Sequence, residues 1–221
     1  MNSVHKAIAR IHGLYAVTAD TRDTGQLASA VAAALAGGAQ IVQYRNKAAD
    51  RLLATEQARA LRDITNAGNA LLIVNDDWEL AVAVAADGVH LGRHDGGLAD
   101  AMIGIGRIQP HGRQLLVGVS CYDSLALARE AMTAGADYIA FGSFFASSTK
   151  PHAVRAETSL IHEAKRISSL PVVAIGGITP ENAPELITAG VDAIAVISAL
   201  FDAPDVRKQA QRFTSLFNPD V

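Results

Sequence analysis

Residues 71–95 read LLIVNDDWELAVAVAADGVHLGRHD, and the organisation of the whole chain follows from them. Leu71-Leu72-Ile73-Val74 is an apolar run too short for a helix and without alternation, as for a strand covered on both faces in a parallel sheet. Asn75-Asp76-Asp77 breaks that run, and an Ala-rich helical segment from Trp78 to Ala86 follows. A second short strand, Val89 to Leu91, then ends in Gly92-Arg93-His94-Asp95. Two consecutive strands therefore each deliver a carboxylate just past their C-terminal end, Asp76 and Asp95. Neighbouring strands lie about 4.8 Å apart, so the two carboxylates are placed to share one small cation. Mg²⁺ is commonly held by one or two carboxylates, with substrate phosphates completing its shell. Either aspartate alone reads better as a helix cap or a turn residue; the repetition on adjacent strands reverses that preference in favour of the metal.

The same alternation runs from end to end. Strands are expected near Gly13–Thr18, Gln40–Arg45, Leu71–Asn75, Gly88–Gly92, Leu115–Ser120, Tyr138–Gly142, Val172–Gly176 and Ala193–Ile197. Helical patterns lie between them, and one closes the chain around Asp205–Phe217. This spacing predicts a single α/β domain over residues 1–221, a (β/α)8 TIM barrel, with residues 1–12 as an N-terminal extension of helical character. An open doubly wound sheet is the alternative, but regular units fit closure better. An internal echo supports repetition: Thr133-Ala134-Gly135-Ala136-Asp137 nearly recurs as Thr188-Ala189-Gly190-Val191-Asp192. In each copy the glycine sits where a helix must stop and turn into the next strand.

Half of the 221 residues are hydrophobic, and no Pro/Gly/Ser-rich linker divides them. Nineteen basic against 22 acidic residues give a net charge of −3, which argues against a nucleic-acid partner. No apolar run approaches the ~18 residues that a membrane span requires. The lone cysteine, Cys121, excludes an internal disulfide and suits a reducing compartment, so a cytoplasmic location is expected.

In a barrel, function collects at strand C-termini, and the unusual residues fall there. Gln43, Arg45 and Lys47 alternate, so in an extended conformation they point to one side and suit a phosphate-bearing ligand. A solvated strand end accounts for the same spacing equally well. The fifth strand ends at Ser120, a hydroxyl that also fits beside a helix. After the sixth strand, Ser143 to about Thr158 shows no convincing helix, whereas most βα loops run about two to six residues. Ser147, Thr149 and Lys150 on this long loop suit a lid over phosphates. Ile175-Gly176-Gly177-Ile178-Thr179-Pro180 pairs two glycines with an expected N-cap, Thr179, and Pro180 at the first helical position. With Ile197-Ser198 after the eighth strand, it matches a barrel phosphate site.

Together these segments resemble thiamin phosphate synthase. The resemblance rests on Gln43-x-Arg45-x-Lys47, on the Ile73-Val74-Asn75-Asp76 to Asp95 segment, and on Gly118-Val119-Ser120. Ser147-x-Thr149-Lys150 and Ala174-Ile175-Gly176-Gly177-Ile178 complete it, over roughly Tyr15 to Leu200. The family resemblance implies a transferase that joins a hydroxymethylpyrimidine diphosphate to a thiazole phosphate, releasing pyrophosphate with Mg²⁺. It implies Asp76 and Asp95 as the Mg²⁺ ligands. Gln43, Arg45, Lys47, Asn75, Ser120 and Lys150 would take the pyrimidine diphosphate, with Arg45, Lys150 and Ser120 acting on the reaction itself. Gly177, Ile197 and Ser198 would take the thiazole phosphate, with Ser147 and Thr149 on that side. The small-molecule substrates are the only partners implied, and the oligomeric state is not.

The chain departs from the common family pattern at Cys121-Tyr122 after Ser120, and at Ser143, Ala146 and Ser147 in the long loop. Three other readings compete: a thiazole tautomerase-like paralogue, a non-catalytic phosphate-binding barrel, and a barrel isomerase needing an acid–base pair. The first has no need of the full set Asp76, Asp95, Arg45 and Lys150. For the last, Cys121 beside Ser120 and His90 are the only hints, and His90 reads better as an interior residue than as a metal ligand.

Overall fold

The computed structural model describes residues 8–92, 104, 115–146 and 155–217. Its strands are β1 (Gly13–Val17), β2 (Ile41–Tyr44), β3 (Leu71–Asn75), β4 (Gly88–Leu91), β5 (Leu116–Tyr122), β6 (Tyr138–Phe141), β7 (Val172–Ile175) and β8 (Ala193–Val196). Each pairs in parallel with its sequence neighbours, and β8 returns to β1, closing the barrel. The helices are α1 (Thr24–Ala36), α2 (Arg51–Ala67), α3 (Trp78–Ala83), α4 (Leu125–Thr133), α5 (Ser159–Ile167), α6 (Ala183–Thr188), α7 (Ser198–Phe201) and α8 (Val206–Thr214). The expected barrel is therefore present. The expected helical character of the first dozen residues lies mostly outside the described residues.

Strand periodicity sorts the side chains. One set, including Tyr15, Ile41, Ile73, Leu116, Tyr138 and Val173, fills the barrel interior. The alternate set, such as Val42, Leu72 and Val74, packs outward under the helices. Because both faces are covered, the strands show no alternation of polarity except near their C-terminal ends.

At the opposite end of the barrel, three aspartates repeat one hydrogen-bond device. Asp87, Asp137 and Asp192 each precede an even-numbered strand. Their backbone N–H groups donate to Leu72 O, Val117 O and Val172 O at 2.8, 2.8 and 2.9 Å. Their carboxylates accept from the N–H of those same residues at 2.9, 2.8 and 2.6 Å. The two copies of the sequence echo are thus carboxylate clamps on the starts of β5 and β7, and Asp87 repeats the device on β3 without the glycine. Asp87 also pairs with Arg62 at 2.6 Å, and Asp192 with Lys165 at 2.8 Å.

Two local expectations need correction. The helix after β7 starts at Ala183, with Asn182 in the cap position, and Thr179-Pro180 belong to a preceding turn. Asn182 shapes that turn by accepting from Thr179 N at 2.8 Å and donating to Gly177 O at 3.0 Å, so the chain spends more residues before the helix begins. Strand β5 runs past Ser120 to Tyr122 through a register shift, with Tyr122 at φ 53°.

Candidate active site

Inward parity makes the C-terminal ends of β2 to β5 polar. Ile41 faces the interior, so Gln43 does too; Leu71 and Ile73 do the same for Asn75, and Leu116 for Ser120. His90 completes the arc beside Asn75, its register partner. These side chains form one hydrogen-bonded chain. Ser120 Oγ lies 2.9 Å from His90 Nε2, and His90 Nδ1 lies 3.1 Å from the Tyr138 hydroxyl. That hydroxyl is 2.9 Å from the hydroxyl of Tyr15, which donates to Gln43 Oε1 at 2.9 Å. Gln43 Nε2 donates to Asn75 Oδ1 at 2.6 Å, and Asn75 Nδ2 to Asp76 Oδ2 at 2.5 Å. Gly118 creates the space for this floor, because a Cβ there would overlap the phenol ring of Tyr138.

The two adjacent aspartates separate clearly. Asp77 caps α3, accepting from Leu80 N at 2.7 Å, and pairs with Arg51. Asp76 instead adopts a left-handed backbone, φ 63°, uncommon outside glycine though tolerated by aspartate. Its carboxylate is turned towards the end of β4, where Oδ1 accepts from Gly92 N at 3.2 Å. A hard carboxylate oxygen between two strand ends suits Mg²⁺, so Asp76 fits the expected ligand role in chemistry and position. Asp95 lies outside the described residues.

At the end of β2, Thr18 Oγ1 donates to Arg45 O and accepts from Arg45 N, both at 2.9 Å. Asp20 Oδ1 accepts from Arg45 Nη1 at 3.1 Å and from Lys47 N at 3.0 Å. The extended conformation stops at Tyr44, so the alternation read from Gln43 and Arg45 does not continue to Lys47, which sits in the following turn. Arg45 and Lys47 nevertheless line the same cavity, about 300 Å³, as Asn75 and Asp76. Thr18 and Asp20 carry no signal of this role in the sequence, where a polar pair after a buried strand looks like any loop.

Across the mouth, Gly176, Gly177, Ile197, Ser198 and Ala146 frame a second cavity of about 190 Å³. Gly176 and Gly177 have φ 104° and 66°. A Cβ on Gly177 would overlap the carbonyl oxygens of Ala146 and Phe145, so glycine is needed for fit as well as conformation. The long loop starts from a pinned base. Phe145 N donates to Gly176 O at 2.9 Å, and Ala156 N to Ser143 O at 2.8 Å. Ser147, Thr149 and Lys150 lie outside the described residues.

Cys121 follows Ser120 in sequence but points the opposite way, out of the barrel. It is fully buried among outward-facing apolar residues, and burial pushes its thiol up to about 12. His90 is interior, and burial lowers its pKa to about 4, so the ring is neutral at pH 7. In the sequence Tyr15 and Tyr138 look like core residues; their one signal is a phenol in an otherwise apolar barrel strand.

The fold and the polar arc define a (β/α)8-barrel protein with its candidate site at the strand C-termini. Over residues 14–200 the chain matches the thiamine monophosphate synthase family model. It is 53% identical over 205 residues to a thiamine-phosphate synthase of Thiobacillus denitrificans, covering 93% of this chain and 94% of that protein. A Methylobacillus flagellatus thiamine-phosphate synthase is 50% identical over 208 residues, with 94% and 96% covered. Among solved structures, thiamine phosphate pyrophosphorylase from Pyrococcus furiosus superposes with a TM-score of 0.83 at 35% identity, covering 96% of this chain and 98% of that one. The chain belongs to the thiamine monophosphate synthase family and is a transferase of thiamine biosynthesis.

Proposed function

We propose that this chain is a thiamin phosphate synthase, joining 4-amino-5-hydroxymethyl-2-methylpyrimidine diphosphate to 4-methyl-5-(2-phosphoethyl)thiazole with release of pyrophosphate. The observation that carries this reading is the divided mouth. A cavity at the ends of β2 and β3, lined by Arg45, Lys47, Asn75 and Asp76 and reaching outward to Tyr44, Val74 and Leu80, lies on one side; a glycine-framed cavity with Gly177, Ile197 and Ser198, at the ends of β7 and β8, lies on the other. Two phosphorylated substrates need two such places, and the names of the relatives agree with that reading.

In this reading Arg45, Lys47 and Lys150 grip the diphosphate, Arg45 with a planar fork suited to phosphate oxygens. Gln43, Asn75 and Ser120 hold the pyrimidine ring over the barrel floor. Asp76 and Asp95 would hold Mg²⁺, which when bound offsets charge on the diphosphate. The bond between the pyrimidine methylene carbon and the diphosphate oxygen breaks first, and its electron pair leaves with pyrophosphate. The thiazole nitrogen then donates its lone pair to the pyrimidinylmethyl cation. The protein's contribution is to stabilise departing charge and to place the second substrate, a role assigned to Gly177, Ile197 and Ser198 and, by the family resemblance, to Ser147 and Thr149. No covalent enzyme intermediate or general base is required.

The test is incubation of the full chain with both phosphorylated substrates and Mg²⁺. Thiamin phosphate and pyrophosphate should appear in equal amounts. Binding of the thiazole phosphate without product would shift the assignment to a tautomerase-like protein.

A further inference from the structure

The hydrogen-bonded floor of the barrel has a direction. An ionised carboxylate only accepts, so the Asn75 atom facing Asp76 Oδ2 must be the amide nitrogen. Asn75 Oδ1 then faces Gln43, which must present Nε2, and Gln43 Oε1 must receive the proton of Tyr15. With its only proton so used, the Tyr15 oxygen accepts from Tyr138. Tyr138, its proton spent in turn, accepts from His90 Nδ1–H. A neutral imidazole carries one N–H, so His90 Nε2 is the bare nitrogen and Ser120 donates its hydroxyl proton to it.

We infer that Tyr15, Tyr138 and His90 are positioning residues that fix Ser120 Oγ as a hydrogen-bond acceptor and so select a substrate ring bearing an amino group. This substrate arm rests on the proposed synthase reading, whereas the proton order rests on the structure alone. A ring carbonyl in place of the amino group would set an acceptor against an acceptor. If Ser120 turned its proton to that carbonyl, His90 Nε2 would be left buried without a donor. Leaving a buried polar group unsatisfied makes the mismatch about tenfold or worse in affinity. The floor therefore links the carboxylate after β3 to a hydroxyl on β5 through six strands, by proton order and without motion.

Long-range ¹⁵N–¹H NMR of histidine-labelled protein tests this, with His90 assigned through its ring contacts to Tyr138, whose centroid is 5.6 Å away. The expected wild-type tautomer has its proton on Nδ1. In Tyr15→Phe, Tyr138 loses its acceptor and should donate to His90 instead, moving the imidazole proton to Nε2 although residue 15 does not bond to His90. Tyr138→Phe removes the acceptor of Nδ1–H and should give mixed tautomers; it serves if Tyr15→Phe does not fold. An Nε2–H tautomer in wild type, or an unmoved tautomer in the variant, overturns the proton order. For specificity, kcat/KM is compared between the amino-pyrimidine diphosphate and its oxo analogue. The wild-type preference should fall about tenfold or more in Tyr15→Phe, and an unchanged preference beside a switched tautomer overturns the role of Ser120. If the tautomers behave as expected but wild type turns over neither pyrimidine, the synthase reading fails and the proton order stands.

Discussion

Asp76 and Asp77 are identical in side chain and adjacent in sequence, and backbone conformation alone assigns them different work. Asp77 satisfies the first turn of α3, whereas the left-handed φ of Asp76 aims its carboxylate across the strand ends. Asp76→Asn keeps the shape and removes the charge. Steady-state turnover should fall on the order of 10²–10³-fold, the scale of losing one preorganised electrostatic group. Normal turnover at ordinary Mg²⁺ would overturn the proposal that Asp76 holds the metal. Cys121 leads to the opposite expectation. A buried thiol with its pKa raised to about 12 is a poor nucleophile, so Cys121→Ser should keep its kcat while losing some thermal stability. Abolished activity in a folded Cys121→Ser protein would reopen acid–base chemistry. Gly177 and Ser198 frame one cavity but should respond differently. Ser198→Ala should raise KM for the thiazole phosphate several-fold and leave the pyrimidine diphosphate alone, the loss of about one hydrogen bond. Gly177→Ala places a Cβ against Ala146 and Phe145, at the base of the long loop, so both substrates should suffer. Titration of each ligand separates the two patterns, and equal weakening by Ser198→Ala would cancel the division of the mouth.

At the scale of elements, the strands were legible because apolar runs such as Leu71–Val74 and Val172–Ile175 stop abruptly at a polar residue or a glycine, Asn75 and Gly176. Boundaries were less legible where side chains substitute for helical bonding. Nothing local distinguishes Thr179 as a cap from Thr179 in a turn; that depends on Asn182 reaching back to Gly177. The site divided in the same way. Gln43, Asn75 and Ser120 announced themselves as polar residues at strand ends, but Tyr15 and Tyr138 count as core residues until closure brings their hydroxyls within 2.9 Å. The aspartate clamps make the recurring Gly-x-Asp pattern testable. Burial raises the pKa of Asp137, partly offset by the hydrogen bond from Val117 N. Asp137→Asn retains an acceptor for that N–H without burying a charge, while Asp137→Ala abandons it at a cost of about 1–3 kcal/mol. Urea midpoints should therefore place Asp137→Asn near wild type and Asp137→Ala well below. Equal losses in the two variants would mean that the charge itself matters at the clamp.

At the scale of the molecule, a barrel interior that buries an imidazole and two phenols must lose stability towards both ends of the pH range. His90 has a folded pKa near 4 against an ordinary 6.5. Above pH 6.5 neither folded nor unfolded chain protonates it, and its contribution to stability is intact. Between 6.5 and about 4 the unfolded chain takes up a proton that the folded chain refuses, so stability falls as pH falls. The loss from this one group is on the order of 3 kcal/mol across the window, at about 1.4 kcal/mol per pH unit. Asp137 acts in the opposite sense. Its raised folded pKa means that protonation favours the folded chain as pH drops through that value, which recovers part of the loss at the acid end. On the alkaline side, burial raises the pKa of Tyr15 and Tyr138, so their contribution is present below pH 10 and declines as pH rises beyond it. Urea unfolding between pH 8 and 4 should show a plateau down to about 6.5, then a decline. Proton uptake on unfolding should approach one extra equivalent near pH 5. Stability constant to within about 1 kcal/mol from pH 7 to 5 would mean that His90 accepts a proton in the folded barrel. Ser120 would then face a donor at Nε2, and the order of the floor would be reversed at its β5 end.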